Sequence, residues 1–159
     1  MSGFGRPEQL PSGVGIEGFC CGNQLVDAWV ERHSATARKR GTAVVYVSRC
    51  DGEVAGFYTL SAHSVARADV GGWISRNAPE QVPAVLLGMM GVDERYKGRG
   101  LGASLLRDAI INATKISQLA GARALVVDPA SEDAASFYGH FGFSSLGHTG
   151  RMALKLPVE

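Results

Sequence analysis

The sequence predicts an α/β (α+β) domain whose sheet is mixed, mostly antiparallel, and holds one central βαβ unit. An Asp-Gly pair at 51–52 separates two runs rich in β-branched and aromatic residues, which is a hairpin signal. A continuous apolar run over 83–92 is typical of a strand covered on both faces. A long helical pattern and a second apolar run follow it, so these three segments form a strand–helix–strand crossover.

The N-terminal part of the chain predicts a tail, a strand and a helix. We expect residues 1–11 to be a loose tail and residues 13–23 to contain a short strand. Asn23 is a favoured N-cap for a helix over 24–40, where apolar residues recur at helical spacing. Gly41 ends that helix.

The rest of the chain alternates strands with helices around one long connection. Residues 66–82 have no clean period and form a surface connection of a length that is often functional. A helix over 101–120 is closed by Gly121. The other predicted elements are strands over 42–49, 54–65, 83–92, 122–128, 142–147 and 151–157, and a helix over 131–141 opened by Ser131.

The composition describes one globular domain over residues 1–159, with 45% apolar and 19% charged residues. The net charge of +1 neither supports nor excludes a polyanionic partner, because a local patch is enough. Cys20, Cys21 and Cys50 match neither a disulfide framework nor metal-ligand spacing, so we expect reduced thiols and no metal. No apolar run approaches the roughly 20 residues needed to cross a bilayer, and no signal peptide is apparent. We therefore expect a cytoplasmic protein without membrane contact.

Glycines and basic residues alternate where the long helix begins. Gly98, Gly100 and Gly102 let main-chain N–H groups approach an anion at the positive end of the helix dipole. Lys97 and Arg99 add positive charge at the rim, and this combination suits a pyrophosphate. Asp93 and Glu94, just before the loop, are assigned to the surface.

Two other phosphate motifs are excluded. A P-loop needs a Lys-Ser or Lys-Thr pair after its last glycine, and this segment has none. Gly98, Gly100 and Ala103 satisfy a dinucleotide fingerprint, but polar residues 93–98 separate the strand from the turn. No acidic residue lies about 20 positions further on to hold a ribose hydroxyl.

The segment "DERYKGRGLGASLL" resembles motif A of the GCN5-related N-acetyltransferases (GNAT), with Lys97, Gly100 and Gly102 in the best register. A second register uses Arg95, Gly98 and Gly100. The resemblance implies the GNAT fold and acetyl-CoA as co-substrate, with its pyrophosphate on the N–H groups of 97–102 and its pantetheine arm along the strand at 90–92. The cofactor-binding residues it implies are Met90, Gly91, Val92, Lys97, Gly98, Arg99, Gly100, Leu101, Gly102 and Ala103.

The segment "ASFYGHFGF" resembles the end of the last helix of that family. Its tyrosine, here Tyr138, commonly protonates the departing CoA thiolate, so the resemblance implies a catalytic role for Tyr138. A phenol with a reference pKa near 10 is a sensible donor to a thiolate whose conjugate acid lies near ~8.5. The alternative is a core aromatic, because Phe137, Phe141 and Phe143 lie close to it in sequence.

Residues 16–156 are similar to the acetyltransferase toxins of bacterial toxin–antitoxin pairs. The similar segments are "GFCCGNQLVDAWVERH", "GFYTLS" and the stretch from Val92 to Gly102. Met89 and Gly91 depart from that pattern, which has an arginine and an alanine at these positions.

This similarity implies acetylation of the α-amine of an aminoacyl group on tRNA, which stops translation. It also implies a ribbon-helix-helix antitoxin partner and a homodimer. The residues expected in a tRNA-facing patch are Arg32, Arg38, Lys39, Arg40 and Arg95. The alternatives are an acetyltransferase for a small-molecule amine or a protein amine, and a non-catalytic acyl-CoA-binding module.

Overall fold

The computed structural model describes residues 3–157. Its helices are α1 (Gln24–His33), α2 (Ala37–Arg40), α3 (Leu101–Ala120) and α4 (Glu132–His140). Its strands are β1 (Glu8–Gln9), β2 (Val44–Cys50), β3 (Glu53–Ala66), β4 (Gln81–Val92), β5 (Ala124–Val127), β6 (Ser144–Ser145) and β7 (Met152–Lys155). Short 3₁₀ turns occupy Arg67–Asp69, Gly72–Ile74 and Glu94–Tyr96.

The strands follow the order β1-β2-β3-β4-β5-β7-β6 in one seven-stranded sheet. The β1–β2, β2–β3, β5–β7 and β6–β7 pairs are antiparallel, and β4 pairs with β5 in parallel. Helix α3 connects these two parallel strands, as a crossover requires. The predicted fold class is therefore confirmed.

The hairpin between β2 and β3 turns where the sequence placed it. Asp51 has φ 52° and Gly52 has φ 83°, so both residues adopt the left-handed conformation that a tight hairpin turn requires. The register then pairs Tyr46 with Tyr58, whose rings stack with centroids 4.7 Å apart. It shifts between Ser48 and Arg49, which marks a β-bulge near the turn.

Two predictions for the segment before α1 need correction. The strand expected within 13–23 does not form, and the segment is irregular. Residues 1–11 were expected to be a loose tail, but Glu8 and Gln9 pair with β2 and Leu10 is only 2% exposed. Residues 1 and 2 lie outside the described part. Without this segment, the edge of β2 would present unpaired backbone N–H and C=O groups. Pairing with that edge, rather than local propensity, therefore orders the segment.

The helix expected over 24–40 is divided into α1 and α2. Asn23 caps α1 as predicted, because its side chain accepts hydrogen bonds from the N–H groups of Leu25 and Val26. The buried Ser34 ends it by donating its hydroxyl to the carbonyl of Val30 and accepting the N–H of Ile16, 18 residues earlier. A side chain that bonds both ways competes with helix continuation.

The described residues form two compact units, and each has its own core. The unit of residues 1–61 and 88–109 packs α1 on one face of β2 and β3 around the buried residues Leu10, Ile16, Val30, Val45, Val47 and Phe57. The unit of residues 62–87 and 110–159 buries Val65, Val70, Ile74, Ala78, Val82, Ala84, Ala124, Val126, Leu146 and Ala153.

The long connection after β3 is held by two arginines of its own unit. Arg67 donates to the carbonyl of Ala78 at 2.8 Å, and Arg123 donates to the carbonyl of Asn77 at 2.9 Å. Ile74, within the connection, is 1% exposed and joins the core. The segment predicted as a surface connection is therefore anchored at its middle.

Candidate functional site

The glycine loop begins at a buried carboxylate that follows β4. Asp93 is 2% exposed and accepts hydrogen bonds from Arg95 N, Arg95 Nε and Cys20 N at 3.0, 2.9 and 3.1 Å. These bonds favour the charged form and hold the pKa of Asp93 below its usual value, although burial opposes them. Assigning Asp93 to the surface was therefore wrong. A carboxylate that satisfies backbone N–H groups far apart in sequence has no local sequence signal.

The loop itself requires glycine for conformation. Gly98 has φ 77° and Gly100 has φ 83°, values that other residues rarely adopt. A Cβ at either position would meet no atom within 4 Å, so lack of space is not the reason for these glycines. The backbone around them is open, as an anion site built from main-chain N–H groups needs.

The helix that follows the loop is seated on the sheet through a glycine of β3. A Cβ at Gly56 would lie 2.9 Å from Leu101 Cδ2 and 2.9 Å from Leu105 Cδ1. Leu101 and Leu105 are buried, at 3% and 0% exposure. Gly56 therefore allows the close approach that fixes the N-terminus of α3 beside the end of β4.

Arg95, Lys97 and Arg99, the three cations beside the loop, all have protein partners. Lys97 Nζ donates to the carbonyl of Cys21 at 2.5 Å. Arg95 forms ion pairs with Asp93 and with Glu53, and these two carboxylates raise the pKa of its guanidinium.

Arg99, between the two left-handed glycines, is held by aromatic rings. Its guanidinium carbon lies 4.8 Å from the ring centroid of Phe4 and 5.8 Å from that of Tyr96. The N-terminal segment thus supports the loop, which sequence reasoning did not anticipate.

The strand that was expected to meet the pantetheine arm is crowded at Gly91. A Cβ there would lie 3.3 Å from each of Cys21 Sγ, Phe19 Cζ and Val26 Cγ1. Glycine in place of the alanine of the related pattern thus lets the segment before α1 pack closely on β4. Met89, in place of the arginine, packs against the apolar core beneath α1.

Tyr138 lies on α4, which Ser131 caps by accepting the N–H of Ala134 at 3.1 Å. Its ring centroid is 5.5 Å from that of Phe137 and 5.4 Å from that of Phe143. Burial raises the pKa of Tyr138 to about 12, so the phenol keeps its proton at neutral pH. The structure thus places a protonated phenol among aromatic neighbours, and the catalytic role of Tyr138 stays a prediction. Tyr138 belongs to the second unit, whereas the glycine loop belongs to the first.

The basic patch lies at the ends of α1 and α2. Arg32 is in the last turn of α1, and Arg38, Lys39 and Arg40 are in α2. All four are exposed, and Arg38 donates to the side-chain carbonyl of Gln9. Arg95, expected in the same patch, forms ion pairs with Glu53 and Asp93 beside the glycine loop.

Within residues 3–157, no group of three or more His, Cys, Asp or Glu side chains is arranged to hold a metal ion. No helix of the same residues is long and apolar enough to span a membrane.

Comparison with known proteins identifies the family. The profile of the acetyltransferase (GNAT) domain matches residues 41–145. The chain is similar to a tRNA-acetylating toxin of Mycobacterium tuberculosis, with 36% identity over 143 residues that cover 90% of this chain and 86% of that protein.

Solved structures of AtaT show the same fold. AtaT complexed with acetyl-methionyl-tRNAfMet has a TM-score of 0.85 at 22% identity and covers 96% of this chain and 94% of that one. A mutant AtaT toxin bound to the C-terminus of the antitoxin AtaR and acetyl-CoA has a TM-score of 0.80 at 23% identity, covering 96% and 92%. Together with the glycine loop between β4 and α3, these similarities establish that the chain is an acetyltransferase of the GNAT family.

Proposed function

We propose that the chain transfers the acetyl group of acetyl-CoA to the α-amine of an aminoacyl group carried on tRNA, and that it thereby acts as a toxin that blocks translation. The observation that carries this proposal is the similarity over 90% of the chain to a tRNA-acetylating toxin. The open glycine loop at the start of α3 supports it, because the loop offers main-chain donors for the pyrophosphate of acetyl-CoA.

The pyrophosphate lies on the N–H groups of residues 97–102. Gly98 and Gly100 turn the backbone, and the dipole of α3 adds positive potential at its N-terminus. Lys97 exchanges the carbonyl of Cys21 for a phosphate oxygen, since an ammonium is a mobile point charge with three donors. Backbone groups of Met90–Val92 meet the pantetheine arm and polarise the thioester carbonyl.

The acceptor amine needs no strong general base. An α-amine titrates near ~8 in peptides, and an adjacent ester lowers that value, so much of it is neutral at neutral pH. The neutral amine attacks the thioester carbon, and the C–S bond breaks as the amide forms. The proton lost by the amine balances the proton gained by the CoA sulfur.

Tyr138 is the donor to that sulfur. With a pKa of about 12 it is protonated throughout the physiological range. Transfer to a free thiolate with a conjugate acid near ~8.5 is uphill. The phenol therefore acts by donating a hydrogen bond to the sulfur while the C–S bond breaks. A phenolic proton that passes to the sulfur is replaced by the proton that the amine loses.

The tRNA lies against the basic patch, whose four exposed residues fall within nine positions of the chain: Arg32, Arg38, Lys39 and Arg40. Arg95 is not part of this contact, because two carboxylates already neutralise it. The partner that silences the enzyme is a ribbon-helix-helix antitoxin, and the enzyme is a cytoplasmic homodimer. The AtaT structure with the C-terminus of the antitoxin AtaR supports an antitoxin partner.

The test is transfer of label from acetyl-CoA to total aminoacylated tRNA by the purified protein and by its Tyr138→Phe variant. We expect label on the aminoacyl group and a loss of at least tenfold in the variant, since removing one transition-state donor typically costs on the order of 10² in kcat. Tight acetyl-CoA binding without transfer to any aminoacyl-tRNA contradicts the tRNA assignment and favours a small-molecule or protein amine. Transfer that the variant leaves unchanged removes Tyr138 from the chemistry.

A further inference from the structure

A buried hydroxyl of β3 bonds to the backbone of β4 just before the strand reaches the glycine loop. Thr59 is 3% exposed, and its Oγ1 accepts a hydrogen bond from the N–H of Met89 at 2.9 Å. Strand N–H groups usually donate to a carbonyl of the adjacent strand. A side-chain acceptor there adjusts the position of the backbone, which a ladder of carbonyls alone would not do.

The same hydroxyl limits the residue before Met89. A Cβ at Gly88 would lie 3.1 Å from Thr59 Oγ1, closer than side chains normally approach. Thr59 thus contacts two consecutive residues of β4. Its hydroxyl orients the N–H group of Met89 and leaves little room for a side chain at Gly88.

β3 and β4 also approach each other closely a few residues further along β4, towards the glycine loop. A Cβ at Gly56 would lie 3.2 Å from the carbonyl oxygen of Gly91, and Asp93 N donates to the carbonyl of Ala55 at 2.8 Å. The stretch between Met89 and Asp93 is therefore held at its two ends by β3. At one end the contact is a backbone hydrogen bond, and at the other it is the hydroxyl of Thr59.

We propose that Thr59 is a positioning residue for acetyl transfer: its hydroxyl sets the backbone of β4 so that the groups of Met90–Val92 are aligned with the thioester. This inference rests on the proposed binding of acetyl-CoA along β4. Pre-aligned donors stabilise charge that develops in the transition state, so misalignment lowers kcat more than it lowers cofactor affinity. The affinity comes mostly from the glycine loop, which Thr59 does not contact.

The experiment compares Thr59→Val with Thr59→Ser. Valine keeps the shape and removes the acceptor, whereas serine keeps the acceptor. We expect Thr59→Val to lower kcat about tenfold with a change of less than about threefold in the Kd for acetyl-CoA. We expect Thr59→Ser to restore kcat to within about twofold of the unchanged protein.

Ser48→Ala is the matched control. Ser48 is a buried hydroxyl of β2, 0% exposed, that donates to the carbonyl of Gly5 at 2.8 Å. Its loss lowers Tm without changing kcat. If Thr59→Val also lowers Tm alone and leaves kcat within twofold, or if serine does not rescue, the hydroxyl is merely structural and the proposal is wrong.

A second variant tests the same contact from the other strand. Gly88→Ala places a methyl group 3.1 Å from the hydroxyl and displaces it. We expect a fall in kcat comparable to that of Thr59→Val and a double variant no worse than either single one, because both changes break one bond. Fully additive losses would contradict this, and the variant remains informative if Thr59→Val folds poorly.

One readout separates this inference from the proposed substrate. Amide hydrogen exchange at Met89, measured with and without acetyl-CoA, needs no acceptor amine. We expect exchange to accelerate about tenfold in Thr59→Val but not in Ser48→Ala. We also expect acetyl-CoA to perturb the amides of Met90–Val92 less in Thr59→Val. If the unchanged protein modifies no aminoacyl-tRNA while these shifts appear, the substrate is wrong and Thr59 stands. If the shifts are identical in both proteins, Thr59 does not position β4.

Discussion

Lys97 Nζ lies 2.5 Å from the carbonyl oxygen of Cys21, so the lysine expected on the pyrophosphate joins the glycine loop to the segment that precedes α1. That segment is bonded to the same stretch by two further contacts, Cys20 N to Asp93 Oδ2 and Glu94 N to the carbonyl of Cys20. Helix α1, whose last turn contains Arg32 of the basic patch, is thus linked to the start of the glycine loop.

Replacing Lys97 by Met removes both a structural bond and a phosphate contact. We expect a loss of about 1 kcal/mol in the free energy of unfolding, less than is usual for a bond to a charged group because Lys97 is exposed. The Kd for acetyl-CoA rises about tenfold, a magnitude typical of one lost charged contact. Urea denaturation and calorimetry measure the two effects. Lys97→Arg keeps the charge and retains most of the affinity, and equal loss in both variants would contradict a role for the charge.

Asp93→Asn tests the carboxylate beneath the loop. We expect it to cost about 2 kcal/mol of unfolding free energy at neutral pH, because it weakens a charge-assisted bond to Arg95. The folded pKa of Asp93 is depressed, so its contribution is fully present above the unfolded value near ~3.9 and is lost as the pH falls through the folded value.

The difference between Asp93→Asn and the unchanged protein should therefore shrink when unfolding is measured in acid. Asp51→Asn is the control, since Asp51 is exposed at a left-handed turn position that asparagine also favours. A difference that persists unchanged below the folded pKa would show that the effect is steric.

Gly91→Ala examines the departure from the related pattern. We expect about 1–3 kcal/mol of destabilisation, because the added methyl group overpacks against Cys21, Phe19 and Val26. Val26→Ala in the same chain should recover part of that loss by making room. The control is Gly71→Ala, at an extended φ of −126° with nothing within 4 Å of the added atom. Thermal unfolding that does not distinguish these two alanine variants would contradict the crowding at Gly91.

The raised pKa of Tyr138 has a consequence for the pH dependence of the rate. Because its pKa is about 12, Tyr138 stays protonated and kcat should not fall through tyrosine ionisation up to pH about 10. The tyrosinate absorbance near the end of an alkaline titration identifies the residue when Tyr138→Phe is subtracted. A kcat that halves near pH 10 and a matching absorbance change would show that the phenol titrates at its ordinary value.

The basic patch predicts that the affinity for tRNA depends on salt concentration. Replacing Arg32, Lys39 and Arg40 by alanine should weaken tRNA binding and lower the slope of log K against log salt by about 0.7–0.9 for each lost phosphate contact. The Kd for acetyl-CoA should not change. Arg95→Ala is the control, because its ion pairs keep it from the RNA; we expect reduced stability and an unchanged slope. An equal loss of slope in this control would place Arg95 on the RNA as well.

Local signals determined the elements that the sequence alone predicted. The turn at 51–52, the N-cap at Asn23 and the bounds of α3 depend on residues close together in the chain, and the structure confirms each of them. The glycine loop was predicted from local residues as well, and the structure adds that Gly98 and Gly100 are left-handed, a conformation that glycine adopts without strain.

Tertiary structure decided what depends on partners far apart in sequence. Pairing with the edge of β2 orders the segment at 8–10. The hydrogen bond from Ile16 N to Ser34 accompanies the break between α1 and α2. The buried carboxylate of Asp93 accepts a hydrogen bond from Cys20 N. Lys97 and Arg99 carry the charge that the motif demands, but their partners, Cys21 and Phe4, are about 76 and 95 positions away in the chain. Contacts over such separations leave no periodicity or spacing in the sequence, so only the folded chain shows which carbonyl Lys97 bonds and which ring Arg99 lies over.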